Sequence, residues 1–183
     1  SGFAVDLATP DCRGLPIEDL ARSLAYQPRW AGATRTFYSV AEHSVMASGL
    51  VPAGDAFDAL MHDLEEALTG DMPTPLKMLI GRSHLAARVR PLKAALSAAF
   101  GYRLDRPAVK RADLVCMATE IRDLLPPHWV DWPHLPPAAE AAIVPVGPEA
   151  AFERFMDRYH ALRPPAADRT AGSRRAGPAG RRR

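Results

Sequence analysis

The histidines and carboxylates that could do chemistry are concentrated between Arg35 and Lys77. This segment contains no Lys or Arg, but it holds two histidines and seven carboxylates. In a compact fold so many negative charges without a counter-charge would repel one another, so we expect a cation among them. Imidazole nitrogens beside carboxylate oxygens are a typical ligand set for a divalent metal ion. The side chains concerned are His43, His62, Glu42, Asp55, Asp58, Asp63, Glu65, Glu66 and Asp71.

The densest part of this segment, residues 62–66, is predicted to lie on one helix spanning residues 55–69. Apolar residues at helical spacing form a buried stripe there, and Gly70 provides a natural helix end. Glu66 follows His62 by four residues and Asp63 by three, so these side chains share a face, whereas Glu65 points elsewhere. A metal held by His62 and Asp63 would lie close to Glu66, which could orient a water molecule and accept its proton.

Each of these residues also has a structural interpretation. The polar face of the 55–69 helix could simply be solvated, although such faces usually interleave Lys or Arg, and this one has none. His43 falls on an apolar stripe of its own helix, which by itself is typical of a hydrogen-bonded core histidine. Asp113 also lies on an apolar face, but it could be a first-turn acid stabilised by the helix dipole or paired with Lys110.

The periodicity of the apolar residues predicts an all-α fold, a compact helical bundle. Ser39 and Glu42 form a Ser-x-x-Glu capping box at the start of the second helix. Pro91 is expected to break or kink the helix that contains it. The predicted helices span residues 16–26, 38–50, 55–69, 83–100, 106–125 and 148–162.

The segments between these helices show no convincing strand pattern. Residues 3–7 are expected to form a short strand or an extended arm. The proline-rich segment after Gly70 is predicted to be a loop. Residues 126–147 are predicted to be an ordered loop packed by Trp129 and Trp132.

Composition limits the class of protein. The chain has 183 residues and 48% hydrophobic content, enough for one core, which we assign to residues 1–163. The net charge is +2, but residues 164–183 are Arg-rich and are predicted to form a disordered tail. That tail carries +5, which leaves −3 for the rest of the chain and argues against a specific nucleic-acid binder. Two cysteines without a Cys-x-x-Cys spacing, and the lack of a long apolar run, favour a soluble cytoplasmic protein without a membrane partner.

The order of the candidate ligands resembles that of a known superfamily. A His, then a His-Asp pair, then a distant Asp is similar to the signature of the HD superfamily of metal-dependent phosphohydrolases. The sequences YSVAEHS over residues 38–44 and LMHDLEEALTGDMPTPLK over residues 60–77 resemble the bacterial 5′-deoxynucleotidase (YfbR-like) branch. The resemblance covers about residues 17–125, and it implies a helical bundle of the HD-domain type.

The resemblance also implies roles for individual residues. Glu66 takes the position of the acid/base that activates the attacking water, and Asp71 that of a residue helping to hold the sugar and water network. Arg29 and Trp30 match a pair that contacts phosphate and deoxyribose, and Lys77 is also expected to reach phosphate. The implied metal ligands are His43, His62, Asp63 and Asp113.

The activity implied by the resemblance is removal of the 5′-phosphate from deoxynucleoside monophosphates by a metal-activated water. An alternative is a triphosphohydrolase acting on a deoxynucleoside triphosphate such as dATP, which basic residues at Arg88, Arg90 or Lys93 would favour. A less favoured alternative is a non-catalytic nucleotide-binding regulatory module. The ligand set suits one ion of Mn, Co, Zn, Fe or Ni, with Mg less suited to the imidazoles. We also expect a homo-oligomer, with the helices of residues 85–100 as a candidate interface.

Overall fold

The computed structural model describes residues 2–127, 132 and 134–164, and over these residues the fold is all-α, as predicted. Two short 3-10 turns and one isolated antiparallel bridge between Pro28 and Ser39 complete the regular structure of this part of the chain. The helices are α1 (Ile17–Tyr26), α2 (Val40–Gly49), α3 (Ala56–Met61), α4 (Glu66–Thr69), α5 (Thr74–Ile80), α6 (Arg82–Phe100), α7 (Pro107–Leu124) and α8 (Pro148–Leu162).

Helix α2 lies at the centre of the molecule, in contact with α1, α3, α7 and α8. The predicted capping box starts it: the Ser39 hydroxyl accepts a hydrogen bond from the Glu42 amide at 3.2 Å, and the Glu42 carboxylate accepts one from the Ser39 amide at 3.0 Å. Because neighbouring helices surround α2, even its polar residues are removed from solvent. A histidine in its middle is therefore buried whatever its role.

The prediction of one continuous helix over residues 55–69 is wrong. Helix α3 ends at Met61 and α4 begins at Glu66, and the intervening residues form tight turns. The Leu64 amide donates to the Met61 carbonyl at 3.1 Å and the Glu66 amide to the Asp63 carbonyl at 3.0 Å, which are three-residue rather than four-residue spacings. The expected helix end at Gly70 is confirmed, with φ of 80° and its amide bonded to the Glu66 carbonyl.

The segment after Gly70 also differs from the prediction, because α5 occupies what was expected to be a loop. Pro75 stands in its first turn, where a proline costs no hydrogen bond because the amide would be unsatisfied there anyway. Pro91 does not break α6, which runs uninterrupted from Arg82 to Phe100. Both Pro91 and Ala87, whose carbonyl loses its usual helical donor, are exposed, so water can satisfy that carbonyl.

The remaining predictions concern the chain ends and the long loop. Residues 3–7 form no strand and run as an exposed, irregular arm, which agrees with the second alternative. Trp132 is half-buried in the loop before α8, whereas Trp129 and residues 165–183, with the predicted disordered tail, lie outside the described residues. No helix in the described part of the chain is both long and apolar enough to span a bilayer.

Candidate metal centre

Side chains from α2, the turn after α3, and α7 meet at one point. His43 Nε2 lies 3.3 Å from His62 Nε2, 3.5 Å from Asp63 Oδ2 and 3.3 Å from Asp113 Oδ1. His62 Nε2 lies 3.1 Å from Asp63 Oδ2 and 4.0 Å from Asp113 Oδ1. Ligands bound at about 2.1 Å around a tetrahedral ion are roughly 3.4 Å apart, so these spacings fit a shared cation. His43, His62 and Asp113 form a group that could hold a metal ion.

Both imidazole rings present Nε2 to this point because each Nδ1 is held on its other side. The Nδ1 of His62 lies 2.7 Å from the Ala59 carbonyl oxygen. A carbonyl can only accept, so His62 Nδ1 carries the proton and its Nε2 is free to bind a metal. His43 Nδ1 lies 2.7 Å from Glu120 Oε1 and donates to it in the same way. Oxygen acceptors of this kind orient histidine ligands in metal sites.

The electrostatics of the four residues suit a cation. Burial and Arg29 act to lower the pKa of His43, but Glu120 and Asp113 outweigh them and raise it to about 10. The pKa of Asp63 is held well below its usual range, because His62, His43 and Arg29 outweigh the effect of burial. The pKa of Asp113 is lowered by its hydrogen bond to His43, again against burial. Without a metal, a proton on His43 offsets part of the charge of the two carboxylates, and a divalent cation would displace it.

Glu66 lies beside this group, with a carboxylate oxygen within 4.8 Å of one of Asp63, although the two residues do not share the continuous helix that was predicted. Its side chain is buried, with Oε1 3.6 Å from Lys77 Nζ and with no hydrogen-bond partner for Oε2 within the described residues. Burial, followed by repulsion from Asp63 and Asp71, raises the pKa of Glu66 to about 9. A nearby divalent cation would stabilise the charged carboxylate and reverse that shift.

Glu65 does not point away from this cluster, in contrast to the prediction. Carboxylate oxygens of Asp63, Glu65 and Glu66 lie within 4.8 Å of one another, because the turns after Met61 replace the continuous helix on which the prediction relied. Glu65 nevertheless has its own counter-charge, because its Oε1 lies 2.6 Å from Lys93 Nζ.

Asp71 is tied to Glu66 through one side chain. The Gln27 amide accepts a hydrogen bond from the Asp71 backbone at 3.1 Å and donates one to the Glu66 carbonyl at 3.0 Å. Asp71 is half-buried and lies close enough to Glu66 and Arg29 to raise the pKa of both. It therefore sits at the margin of the centre, while its predicted contact with a sugar remains a prediction.

Arg29 lies beside Asp63, a candidate metal ligand, and shares with Trp30 a partner that the sequence did not suggest. Arg29 Nη2 donates to Glu120 Oε2 at 3.1 Å, and Trp30 Nε1 donates to the same oxygen at 2.8 Å. Arg29 Nη1 also lies 3.9 Å from Asp63 Oδ2. The guanidinium thus flanks the centre, and its expected contact with phosphate stays a prediction.

The fully buried Glu120 is the functional candidate that the sequence analysis missed. A single glutamate on a helix usually belongs to its solvated face. The available signal was its spacing, since it follows Cys116 by four residues and Asp113 by seven, on the face already identified as apolar.

Two cavities open beside the centre, with Lys93, Lys110 and Asp113 lining both. The first, about 940 Å³, is bordered by His62 and Asp63 and has a basic wall that includes Arg90. The second, about 930 Å³, contains Glu66 and Lys77 and has an apolar wall formed by Met72, Met117, Trp132 and Leu135.

Comparison with models of known protein families gives no match. The chain is 40% identical over 151 residues to the uncharacterized protein YfdR of Escherichia coli (strain K12), an alignment that covers 80% of this chain and 83% of YfdR. It is 36% identical over 138 residues to an uncharacterized protein of Rhodobacter capsulatus, covering 68% of this chain and 70% of that protein. At this identity and coverage, the chain belongs to the protein family that includes YfdR of Escherichia coli.

Proposed function

We propose that this chain is a metal-dependent phosphohydrolase of the HD superfamily that removes the 5′-phosphate of deoxynucleoside monophosphates. One observation carries the proposal: three parts of the chain that are far apart in the sequence meet here, with Nε2 of His43 and Nε2 of His62 3.3 Å apart. Asp63 Oδ2 and Asp113 Oδ1 each lie within 4.0 Å of both nitrogens. The resemblance of residues 38–44 and 60–77 to the 5′-deoxynucleotidase branch supplies the reaction.

The four side chains would hold one divalent transition metal ion. Such an ion would supply Lewis-acid chemistry, since it polarises a phosphoryl oxygen and makes water more acidic. His43 and His62 bind through Nε2, because their Nδ1 atoms are already engaged by Glu120 and the Ala59 carbonyl. The two aspartates are negatively charged and the two imidazoles are neutral, so the site carries the negative charge that a dication would neutralise.

Glu66 is the acid/base of the reaction. In its charged form the carboxylate accepts a proton from the attacking water while the new bond to phosphorus forms. The bond between phosphorus and the sugar 5′ oxygen breaks, and Glu66 returns the proton to that leaving oxygen. Lys77, 3.6 Å from Glu66 Oε1, favours the charged carboxylate at the start of the cycle.

The other predicted residues bind the substrate. Arg29 and Lys77 place two positive charges beside the centre, where they offset the charge that develops on the phosphate oxygens. The apolar wall of the second cavity suits a nucleobase and sugar. Trp30 and Asp71 do not line that cavity, and the resemblance alone assigns them contacts with the sugar. This assignment leaves the first, more basic cavity without a ligand.

That basic cavity favours a second candidate function, hydrolysis of a deoxynucleoside triphosphate. Arg90, Lys93 and Lys110 line it next to the metal ligands His62 and Asp63. Lys93 is engaged by Glu65, but Arg90 and Lys110 form no ion pair within the described residues and could bind a longer phosphate chain. The further Arg103 and Arg106 at this cavity are held by Asp55 and Asp58.

The test is a product analysis with purified protein, dAMP and dATP, and each of Mn²⁺, Co²⁺, Zn²⁺ and Mg²⁺. Inorganic phosphate and deoxyadenosine released from dAMP support the first function, whereas triphosphate and deoxyadenosine released from dATP support the second. The Asp113→Asn variant, prepared in parallel, controls for contaminating phosphatases. Binding of nucleotide without turnover under every metal would instead indicate a non-catalytic regulatory module and contradict both functions.

A further inference from the structure

We propose that Glu120 is a positioning residue that links the metal ligand His43 to the Arg29–Trp30 turn, so that metal binding and the geometry of this turn change together. The inference rests on the proposed function in two respects, the role of His43 as a metal ligand and the use of Arg29 and Trp30 toward substrate. The link itself is a property of the chain and can be measured without a substrate.

The first half of the link is the contact with His43. Glu120 Oε1 lies 2.7 Å from His43 Nδ1, and both side chains are 0% exposed. The carboxylate fixes the ring orientation and keeps the proton on Nδ1, which leaves Nε2 for the metal. Because neither side chain has access to water, no solvent molecule can take over this hydrogen bond.

The second half is the contact with Arg29 and Trp30, which both donate to Glu120 Oε2. Trp30 adopts φ 57° and ψ 28°, and Ala31 follows with φ 50° and ψ 30°. Two consecutive non-glycine residues in the left-handed region are uncommon and persist only where surrounding contacts hold them. The bonds from Trp30 Nε1 and Arg29 Nη2 to Glu120 hold this turn against α7.

The geometry of one carboxylate explains why the two halves depend on each other. One buried carboxylate serves three donors, the His43 ring, the Arg29 guanidinium and the Trp30 indole. Its two oxygens belong to one rigid planar group, so a movement of the His43 ring on metal binding also moves the oxygen to which Arg29 and Trp30 donate. By linkage, a change at the turn must in the same way alter metal affinity.

Glu120→Gln is the informative substitution, since it keeps the shape of the side chain but has only one acceptor oxygen. If that oxygen faces His43, the NH₂ group of the glutamine faces the donors of Arg29 and Trp30 and cannot accept their hydrogen bonds. Zn²⁺ is the probe, and its affinity is measured by competition with a chelator. The fluorescence of Trp30 is followed in the Trp129→Phe/Trp132→Phe double variant, in which Trp30 is the sole tryptophan. Asp58→Asn, which removes a buried carboxylate paired with Arg103 rather than with a metal ligand, is the matched control.

With Glu120 intact, Zn²⁺ is expected to shift Trp30 emission with the same midpoint as metal binding. Glu120→Gln should lower Zn²⁺ affinity roughly 10- to 100-fold and abolish the Trp30 response, while Asp58→Asn alters neither. Unchanged Zn²⁺ affinity in Glu120→Gln, or no Trp30 response in the parent protein, would overturn the proposal.

If Glu120→Gln does not fold, Trp30→Phe decides the matter. This substitution removes one donor to Glu120 and touches no metal ligand, so the linkage predicts a change in Zn²⁺ affinity of roughly fivefold or more. An unchanged affinity overturns the linkage. Zn²⁺ affinity and Trp30 emission are both measured without a nucleotide, so they do not depend on whether the protein hydrolyses one. A failure of the proposed hydrolysis is therefore distinguishable from a failure of this inference.

Discussion

His43 Nε2 lies 3.3 Å from Asp113 Oδ1, which brings the buried middle of α2 to the early part of α7. The contact is more than a buried ion pair, since His62 Nε2 and Asp63 Oδ2 lie within 3.3 and 3.5 Å of the same imidazole nitrogen. Asp113 is half-exposed and borders both cavities. It therefore stands where a metal and a substrate would meet.

Asp113→Asn should remove one metal ligand without loss of the fold. The amide is a poor ligand for a transition metal, so we expect Zn²⁺ or Mn²⁺ affinity to fall roughly 100-fold or more. Isothermal titration calorimetry with each metal measures this directly. Asp157→Asn, at an exposed position of α8, is the control and should bind like the parent protein. Equal affinity in both variants would mean that Asp113 is not a ligand.

Glu66→Gln should separate metal binding from turnover. If Glu66 accepts the proton from water, kcat on the better nucleotide should fall by roughly 10²- to 10⁴-fold, with metal content unchanged. Glu65→Gln is a close control, because its carboxylate belongs to the same cluster but is engaged by Lys93. We expect that variant to stay within a few-fold of the parent. Full turnover by Glu66→Gln would exclude the role proposed for it.

The basic cavity can be tested with two arginines of the same helix. Arg90 lines the cavity beside the metal ligands, whereas Arg88, two residues earlier on α6, is not among its lining residues. If the triphosphate chain binds there, Arg90→Ala should raise KM for dATP roughly tenfold and leave KM for dAMP unchanged. Arg88→Ala should change neither. Equal effects of the two substitutions on dATP would indicate general attraction rather than a subsite.

Metal affinity should increase with pH. The pKa of His43 is about 10 and that of Glu66 about 9 in the absence of a metal, so at neutral pH a bound cation must displace protons from these groups. Calorimetry at pH 7 in buffers of different ionisation enthalpy should show release of about one to two protons per ion. Glu66→Gln should lower that number. Binding that releases no proton would contradict both assignments.

The chelator-treated protein should lose stability as the pH rises. His43 and Glu66 both have folded-state pKa values above their usual 6.5 and 4.5, so each stabilises the fold fully below its usual pKa. That contribution is lost progressively as the pH rises from the usual pKa to the folded-state value of about 9 to 10, at a rate of up to about 1.4 kcal/mol per pH unit for each group. The carboxylates with lowered pKa, including Asp63, titrate only in acid and do not interfere.

Thermal unfolding in EDTA between pH 6 and 9 measures this loss. The parent protein should show a falling Tm, and Glu66→Gln should show a shallower decline. Saturating Zn²⁺ should remove most of the dependence, since the ion takes the place of the proton on His43. A Tm that is level or rises over this range would contradict the electrostatic account.

Much of the fold and of the centre followed from local sequence patterns. The capping box at Ser39 and Glu42 fixed the start of α2, and the pairing of His62 with Asp63 identified the densest part of the site. Both features could be predicted because each depends on hydrogen bonds or charges that lie within a few residues of one another in the sequence. The lack of Lys and Arg between Arg35 and Lys77 agrees with the proposal that a cation binds there.

The predictions that were wrong, and the role that was missed, concern features that depend on tertiary contacts. Periodicity stays in phase across the turns after Met61, so it cannot distinguish one helix from two. Prolines 75 and 91 were expected to exclude or interrupt helix, yet one lies in a first turn and the other at an exposed position of α6. The role of Glu120 depends on three donors from two distant parts of the chain, which no local pattern reveals.

Whether the four side chains bind a metal can be observed by anomalous-difference crystallography of the protein soaked with Mn²⁺. We expect one strong peak at about 2.0–2.3 Å from His43 Nε2, His62 Nε2 and carboxylate oxygens of Asp63 and Asp113. A metal bound elsewhere, or these four side chains converging with no anomalous peak among them at saturating Mn²⁺, would contradict it.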